Sequence, residues 1–582
     1  VKEDGVNKFA PLSALMSKLI YALMLSAGFA GAARASTADH QEFEATLHAP
    51  FQAGAKAPAE LPETRTFALS FDYPFLDRAR SVSWTLEVVS PDGVTVQQWH
   101  GKRPLASTQV DVRVAWDGRG DGVILSDGVY QVRLRATDGD AEVEQSWEIG
   151  VGQRVAQAMP AFAPLPLARQ RVGASSRDAG AGAFPSAVGA TASLPYTVYL
   201  GNLHSQTNHS DGGGALASCT GAQAPQSAAF GPAAAYAYAK GRGLDFLMAS
   251  EHNHMYDGSD GTKPAADPAA AKALFQSGLT AAAKYNSANP GFLGMYGLEW
   301  GVINNGGHLN IFNPTELLGW ENNSGGQLLA DTQTAKNDYA ALYTLMRQRG
   351  WVGQFNHPSS SGQFLVNGTA LGYTADGDEA MALCEVLNTS AFSTNTTESE
   401  TGRSTYEGAC NKALEAGYHI AFSTNQDNHC ANWGASYTNR TGVLITSGTA
   451  LASASMIAAI KARRVYATMD KNSQLILTGN GRMMGERFTN SGALRLVANF
   501  ASGGGKSVSS VRVYEGVPGR NGSVTQLSAS ATTTVTPAIG EHFYYAKVTQ
   551  NDGNILWSAP IWVTQTRPTK AMAANAENVQ PR

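Results

Sequence analysis

Phe246-Leu247-Met248-Ala249-Ser250-Glu251-His252-Asn253 opens as an apolar run and closes on an acid and an imidazole. A continuous apolar run of this length fits a strand buried on both faces. Such strands belong to sheets covered by helices, and the residues just past their ends stand where loops converge. The pattern repeats along residues 196–470. Strand-like runs at 196–203, 244–249, 292–298, 352–355, 381–386 and 419–423 alternate with helix-like stretches at 228–240, 269–285, 335–349 and 406–416. Repeated β-then-α order predicts a parallel sheet, open or closed into a barrel.

Acidic and imidazole residues follow these runs in register. His204 ends the first, and His252 follows the second. Glu299 closes the third in Gly297-Leu298-Glu299-Trp300, with His308 soon after in Gly306-Gly307-His308-Leu309-Asn310. His357 follows the fourth in Asn356-His357-Pro358, and Asp427 and His429 follow the last. Five of the twelve histidines therefore fall where β/α folds gather their catalytic groups. Imidazole with carboxylate is the donor mix of zinc, manganese and iron sites. Glu385, after a strand, is placed to orient a ligand. His209 and His254 suit a general acid at the pocket rim, and Arg403 suits a clamp on a substrate anion. The chain has no convincing serine nucleophile elbow or glycine-rich phosphate loop, which leaves water activated by metal as the chemistry.

Outward from this region the composition changes. Residues 64–152 carry short alternating segments separated by Pro91-Asp92-Gly93, Asp117-Gly118 and Asp127-Gly128, the pattern of strands and turns. Trp116-Asp117-Gly118-Arg119 with Leu125-Ser126-Asp127-Gly128-Val129-Tyr130 resembles the Ig-like module of flagellar hook-capping proteins, which implies a small β-sandwich over residues 40–152. Residues 153–195 are rich in Ala, Pro, Gly and Ser and read as a linker. Residues 471–566 read as a second β-rich domain, and 567–582 as a disordered tail. Near the start, Met16-Ser17-Lys18, an apolar run to Ala32 and Ala33-Arg34-Ala35 predict a cleaved secretory signal within residues 1–35, hence a periplasmic or secreted bacterial protein. The run is too short for a stable membrane anchor. The chain has 582 residues, too many for one core, and a formal charge of −4, which gives nucleic acid no basic surface to bind.

Leu203-His204-Ser205-Gln206-Thr207-Asn208-His209-Ser210-Asp211-Gly212 resembles the first motif of the PHP (polymerase and histidinol phosphatase) superfamily. Residues 246–253, 297–300 with 307–310, 356–358 and 427–429 resemble its later motifs in order, and residues 456–468 resemble the domain end in its carbaryl-hydrolase branch. Together these cover less than half the chain. The resemblance implies a distorted seven-stranded β/α barrel, (β/α)7, flanked by the Ig-like sandwich and the C-terminal β-rich domain. It also implies two or three divalent ions (Mn, Zn or Fe). Carried over by residue, His204, Gln206, Glu299 and Asp427 would hold one ion. Glu299 would bridge to a second held by His308 and His357, and Asp211, His252 and His429 would hold a third. The chain departs from the family at Gln206, where a second His is usual, at Glu251 for Asp, and at Asn425. Cys219 and Cys430 flank the same expected mouth, so an oxidising compartment would allow their bridge, and likewise Cys384 with Cys410, if each Cα pair lies within about 7 Å.

The function expected from these readings is hydrolysis of a small-molecule ester, foremost a phosphodiester. Carboxyl- or carbamate-ester hydrolysis and a non-catalytic exported binding protein are the alternatives. The oligomeric state has no signature in the sequence.

Overall fold

The computed structural model describes residues 43–53, 64–73, 76, 79–105, 109–139, 141–168, 194–302, 306–358 and 372–568. The signal-peptide reading and nearly all of the tail fall outside them. No helix among the described residues is long and apolar enough to cross a membrane.

Near the N-terminus two antiparallel sheets share one core. One holds Glu44–His48, Arg65–Asp72 and Val110–Trp116; the other runs Thr95–Leu105, Arg80–Val89, Gly128–Thr137 and Glu142–Val151. Alternation drives this: Ala45, Leu47, Phe67 and Leu69 of the first and Val82, Leu86, Val132 and Leu134 of the second all lie inward. The Trp116 motif makes a turn, its indole N–H donating to the Arg119 carbonyl at 2.7 Å and its ring stacking on Phe67.

The central region is not a (β/α)7 barrel. The described residues hold six α-helices against thirty-one strands, so most strand pairs lack the helical crossover that a parallel barrel needs. The individual elements agree with the sequence to within a few residues: Phe246–His252, Leu293–Val302 and Met381–Thr389 are strands, and Pro268–Ala288, Tyr339–Arg349 and Glu407–Ala416 are helices. What differs is how the strands pair. Tyr196–Asn202, Phe246–His252 and Leu293–Val302 lie parallel. Then Gly307–Ile311, which is not among the strand-like runs of the sequence, folds back antiparallel on Leu293–Val302 and pairs antiparallel with Gly353–Phe355. On the other side Arg440–Thr446 pairs antiparallel with Tyr196–Asn202 and with Val465–Thr468, which in turn pairs antiparallel with Ile555–Ser558. The result is one large mixed sheet that runs past residue 470 into the C-terminal strands, rather than a closed barrel beside a separate β domain. Apolar runs report burial on two faces but not the direction of a neighbour, which is why the pairing was misread.

Residues 153–168, read as linker, run extended, but Leu165 and Leu167 are buried and Leu167 bridges to Val198. A buried ionic cluster ties the N-terminal sheet to the C-terminal strands. Glu148 accepts from Arg512 and from the Thr549 hydroxyl, and Lys547 lies 3.7 Å from Glu148 and 2.7 Å from Glu407.

Candidate metal centre

Sheet register brings the acids and imidazoles together. In the parallel ladder His252 stands opposite Glu299; in the antiparallel one Glu299 stands opposite Asn310, and Gly301 opposite His308. His204 follows the strand Tyr196–Asn202, and His357 follows Gly353–Phe355. Two left-handed backbones, His357 at φ 24° and Asp427 at φ 48°, turn ligand-bearing residues out of their strand directions. Such conformations cost free energy in non-glycine residues and cluster at functional sites.

Three groups of donor atoms lie within 4.8 Å of one another: His204, Glu299 and His357; His252, Glu299 and His308; Asp211, His252 and His429. All seven residues are buried. The contacts to Glu299 run from 3.0 Å (His204 Nε2) through 3.2 Å (His308 Nδ1) and 3.3 Å (His357 Nε2) to 3.5 Å (His252 Nδ1). Asp211 Oδ1 is 3.4 Å from His429 Nε2 and 3.7 Å from His252 Nε2. Ligands about 2.1 Å from one cation stand roughly 3–3.5 Å apart, so this spacing and this donor chemistry fit divalent ions. The grouping repeats the expected Asp211–His252–His429 set. It divides the others differently, placing His357 with His204 and His308 with His252. Asp427 Oδ1 is 3.0 Å from His204 Nε2, at the edge of the first group.

The electrostatics are those of acids and imidazoles forced together. Burial pushes the Glu299 carboxyl up, but His204, His308 and His252 outweigh it and hold it well below the carboxylate range. Burial pulls His429 down, while Asp211 and Asp427 lift it to about 10. His204 is lifted likewise, against burial, by Asp427, Glu299 and Glu385.

A layer of carboxamides surrounds the ligands. Asn356 Nδ2 donates to Glu299 Oε1 at 2.8 Å, and Gln206 Nε2 donates to Glu299 Oε2 at 2.5 Å. Gln206 Oε1 accepts from Ser210, so its carbonyl is turned away from Glu299. Asn310 accepts from Asn356, and Asn425 Nδ2 donates to Glu385. Glu385 sits 3.2 Å from His204 Nδ1 and accepts the His357 N–H at 2.8 Å, the orienting role expected of it. Glu251 is not a ligand here. It accepts from Thr207 and Ser210 beneath the first loop, and burial raises its carboxyl to about 7. Gln354, whose amide donates to Asn356 and accepts from the Ser423 hydroxyl, carried no signal in the sequence, and Asn310 and Asn356 appeared only as neighbours of His308 and His357.

The three candidate catalytic residues fall in different places. His254 Nε2 is 3.2 Å from Asp260 and its ring stacks on Trp320, 5.8 Å from the ring of His252. His209 Nδ1 is 2.7 Å from the Tyr296 hydroxyl, and burial lowers its pKa to about 4. Arg403 is sandwiched between Trp147 of the N-terminal sheet and Tyr437, at 4.9 and 4.3 Å from their ring centres.

Both cysteine pairs are bridged, Cys219 to Cys430 and Cys384 to Cys410, each with Cα atoms 5.8 Å apart. Two bridges fit an oxidising compartment.

No protein-family model and no curated protein matches this sequence. Among solved structures, the chain is similar over 19% of its length to 88% of the CARDB domain of a Pyrococcus furiosus protein in complex with di-metal ions, at 8% identity and a TM-score of 0.14. It is similar over 90% of its length to 61% of a Bacteroides uniformis beta-glucuronidase, at 9% identity and a TM-score of 0.15. It is similar over 91% of its length to 74% of a putative beta-galactosidase from Bacteroides fragilis, at 11% identity and a TM-score of 0.15. These overlaps are too slight to assign a fold or an activity.

Proposed function

We propose that this protein is an exported, metal-dependent phosphoesterase that hydrolyses small phosphodiesters. The observation that carries the reading is Glu299, whose two oxygens face four imidazoles in two overlapping donor groups. His204, His252, His308 and His357, with Glu299, would hold divalent ions, which would supply Lewis-acid activation of water and charge stabilisation on the ester. A phosphodiester presents two non-bridging oxygens that share one negative charge, and a multi-ion site matches them better than it matches a lone neutral carbonyl. The chain's own residues set the geometry. Asn356 and Gln206 hold both oxygens of Glu299 in place, and Glu385 fixes His204 and the His357 backbone. His254, oriented by Asp260 and braced on Trp320, is the group placed to pass a proton to the leaving alcohol. His209 is occupied by Tyr296 and supports the loop instead.

A chromogenic panel of phosphodiesters, phosphomonoesters and carboxyl esters, run before and after chelation and on re-addition of Mn or Zn, tests this. Turnover of the diesters that chelation abolishes and metal restores is the expected result. Preference for carboxyl esters would favour the carbonyl chemistry, and full activity in metal-free protein would end the reading.

A further inference from the structure

Residues 390–393 form a turn at the edge of the metal centre, closed by the Ser393 N–H, which donates to the Ser390 carbonyl at 3.1 Å. The turn is tied to its surroundings at three points. The Ala391 carbonyl accepts the His429 N–H, the Ser390 N–H donates to the Gly402 carbonyl, and Asn432 Nδ2 donates to the Ser393 carbonyl. Phe392 is the third residue of this turn, and its ring centre lies 5.0 Å from that of His429. Every other ring contact of the donor-group imidazoles, among the described residues, is with another histidine. Those histidines are buried, whereas Phe392 is half-buried and also lines a cavity of about 410 Å³.

The rings stand in a file of His254, His252, His429 and Phe392, with successive centres 5.8, 5.9 and 5.0 Å apart. His254, the group placed to protonate the leaving alcohol, is at one end, and Phe392 is at the other. In-line displacement at phosphorus sends the leaving oxygen and the retained substituent in different directions, so each needs a surface of its own. Phe392 supplies a flat apolar face one ring contact away from the Asp211–His252–His429 group. Aromatic rings pack on such faces offset or edge-on, with centres about 4.5–7 Å apart. A turn held at three points presents that face already ordered, which lowers the entropic cost of using it.

We infer that Phe392 is a specificity-determining wall of the substrate site: the substituent retained on phosphorus packs against its ring, and esters carrying an aryl group there are preferred. The place of Phe392 in the reaction rests on the phosphoesterase reading, whereas its packing with an aryl group is measurable without turnover.

Phenylphosphonate and methylphosphonate share one anionic head and differ in the group it carries. Calorimetric titration of the metal-loaded full chain should show phenylphosphonate bound about tenfold more tightly, the scale of one aryl packing contact. Phe392→Ala should bring the two affinities together, and Phe392→Tyr, which keeps the ring, should hold them apart. Should Phe392→Ala fail to fold, Phe392→Leu, which fills the turn without a ring, takes its place with the same expected loss. The para-nitrophenyl esters of the two phosphonates share a leaving group, and their kcat/KM values should differ in the same sense in wild type. Equal affinity of wild type for the two phosphonates, or an aryl preference that persists in the folded variant without a ring, would overturn the wall. Aryl preference in binding with neither ester hydrolysed would keep the wall and end the phosphoesterase reading. Hydrolysis of both esters with no aryl preference would do the reverse.

Discussion

Glu299 and Asp211 are both buried carboxylates that gather imidazoles, yet the chain holds them by different means. Glu299 lies in a sheet, with His252 opposite on one side and Asn310 on the other, and a donated amide on each oxygen. Asp211 lies in a loop of turns, in which the Ser210 and Gly212 N–H groups both donate to the Thr207 carbonyl. Gly213 there takes φ 78°, and a side chain at that position would collide with the Phe230 carbonyl. The loop is joined to the His429 loop by the Gly214–His429 hydrogen bond and by the Cys219–Cys430 bridge. One carboxylate is placed by strand register, which every neighbouring ladder reinforces. The other is placed by local turns and one covalent link. A site built this way should lose its two halves under different insults.

The largest effect should follow removal of the shared carboxylate. Glu299→Ala deprives two donor groups at once, so the protein should lose more than one ion per chain, measured by elemental analysis. Turnover should fall by about a thousandfold, equivalent to about 4 kcal/mol of transition-state stabilisation. Loss of one ion with most activity kept would mean that Glu299 serves one group alone, and the comparison would break. A smaller and more selective effect should come from the loop half. Cys219→Ser with Cys430→Ser should weaken ion binding by the Asp211–His252–His429 group while Glu299 keeps its complement. Global stability should fall by about 2–5 kcal/mol, the usual loss for a native bridge. Metal titration beside thermal melting separates the two, and unchanged affinity at every site would show that the turns suffice without the bridge. The smallest change is Gln206→His. It exchanges an amide donor on Glu299 for an imidazole nitrogen, and zinc should bind about tenfold tighter or an additional ion should be retained. Equal titration curves for wild type and variant would show that Gln206 does not govern occupancy.

Much of the candidate metal centre was legible because most of its acids and imidazoles follow apolar runs. His204, His252, Glu299 and His357 could be placed by that rule, His308 by following Glu299 closely, and the Cys219–Cys430 pair by proximity to the same mouth. The architecture around them was less so. The strand Gly307–Ile311 is short and opens on the second of two glycines, so it reads as a loop until its antiparallel partners Leu293–Val302 and Gly353–Phe355 are seen. That strand turns the expected barrel into a mixed sheet. The division of ligands among ions was also hidden, because it depends on which imidazole nitrogen faces Glu299, and sequence spacing says nothing of ring orientation. Arg403 looked like an anion clamp because it stands in a polar loop. Its partners Trp147 and Tyr437 lie far from it in sequence, and only the packing of the N-terminal sheet brings them together.

Glu148 has a bearing on how this chain can be cut or recombined. Its carboxylate is the buried counter-charge of Arg512 and lies close to Lys547, both on the C-terminal strands, and both cations lower its pKa against the effect of burial. Excising the N-terminal sheet would strip Arg512 of that partner and leave Lys547 with Glu407 alone. Stranding a buried charge in this way costs about 3–5 kcal/mol, a sizeable share of a typical fold's margin. The N-terminal sheet is therefore not a detachable passenger. A graft that moves the metal centre to another scaffold must carry Glu148 with it or replace Arg512 by an uncharged residue.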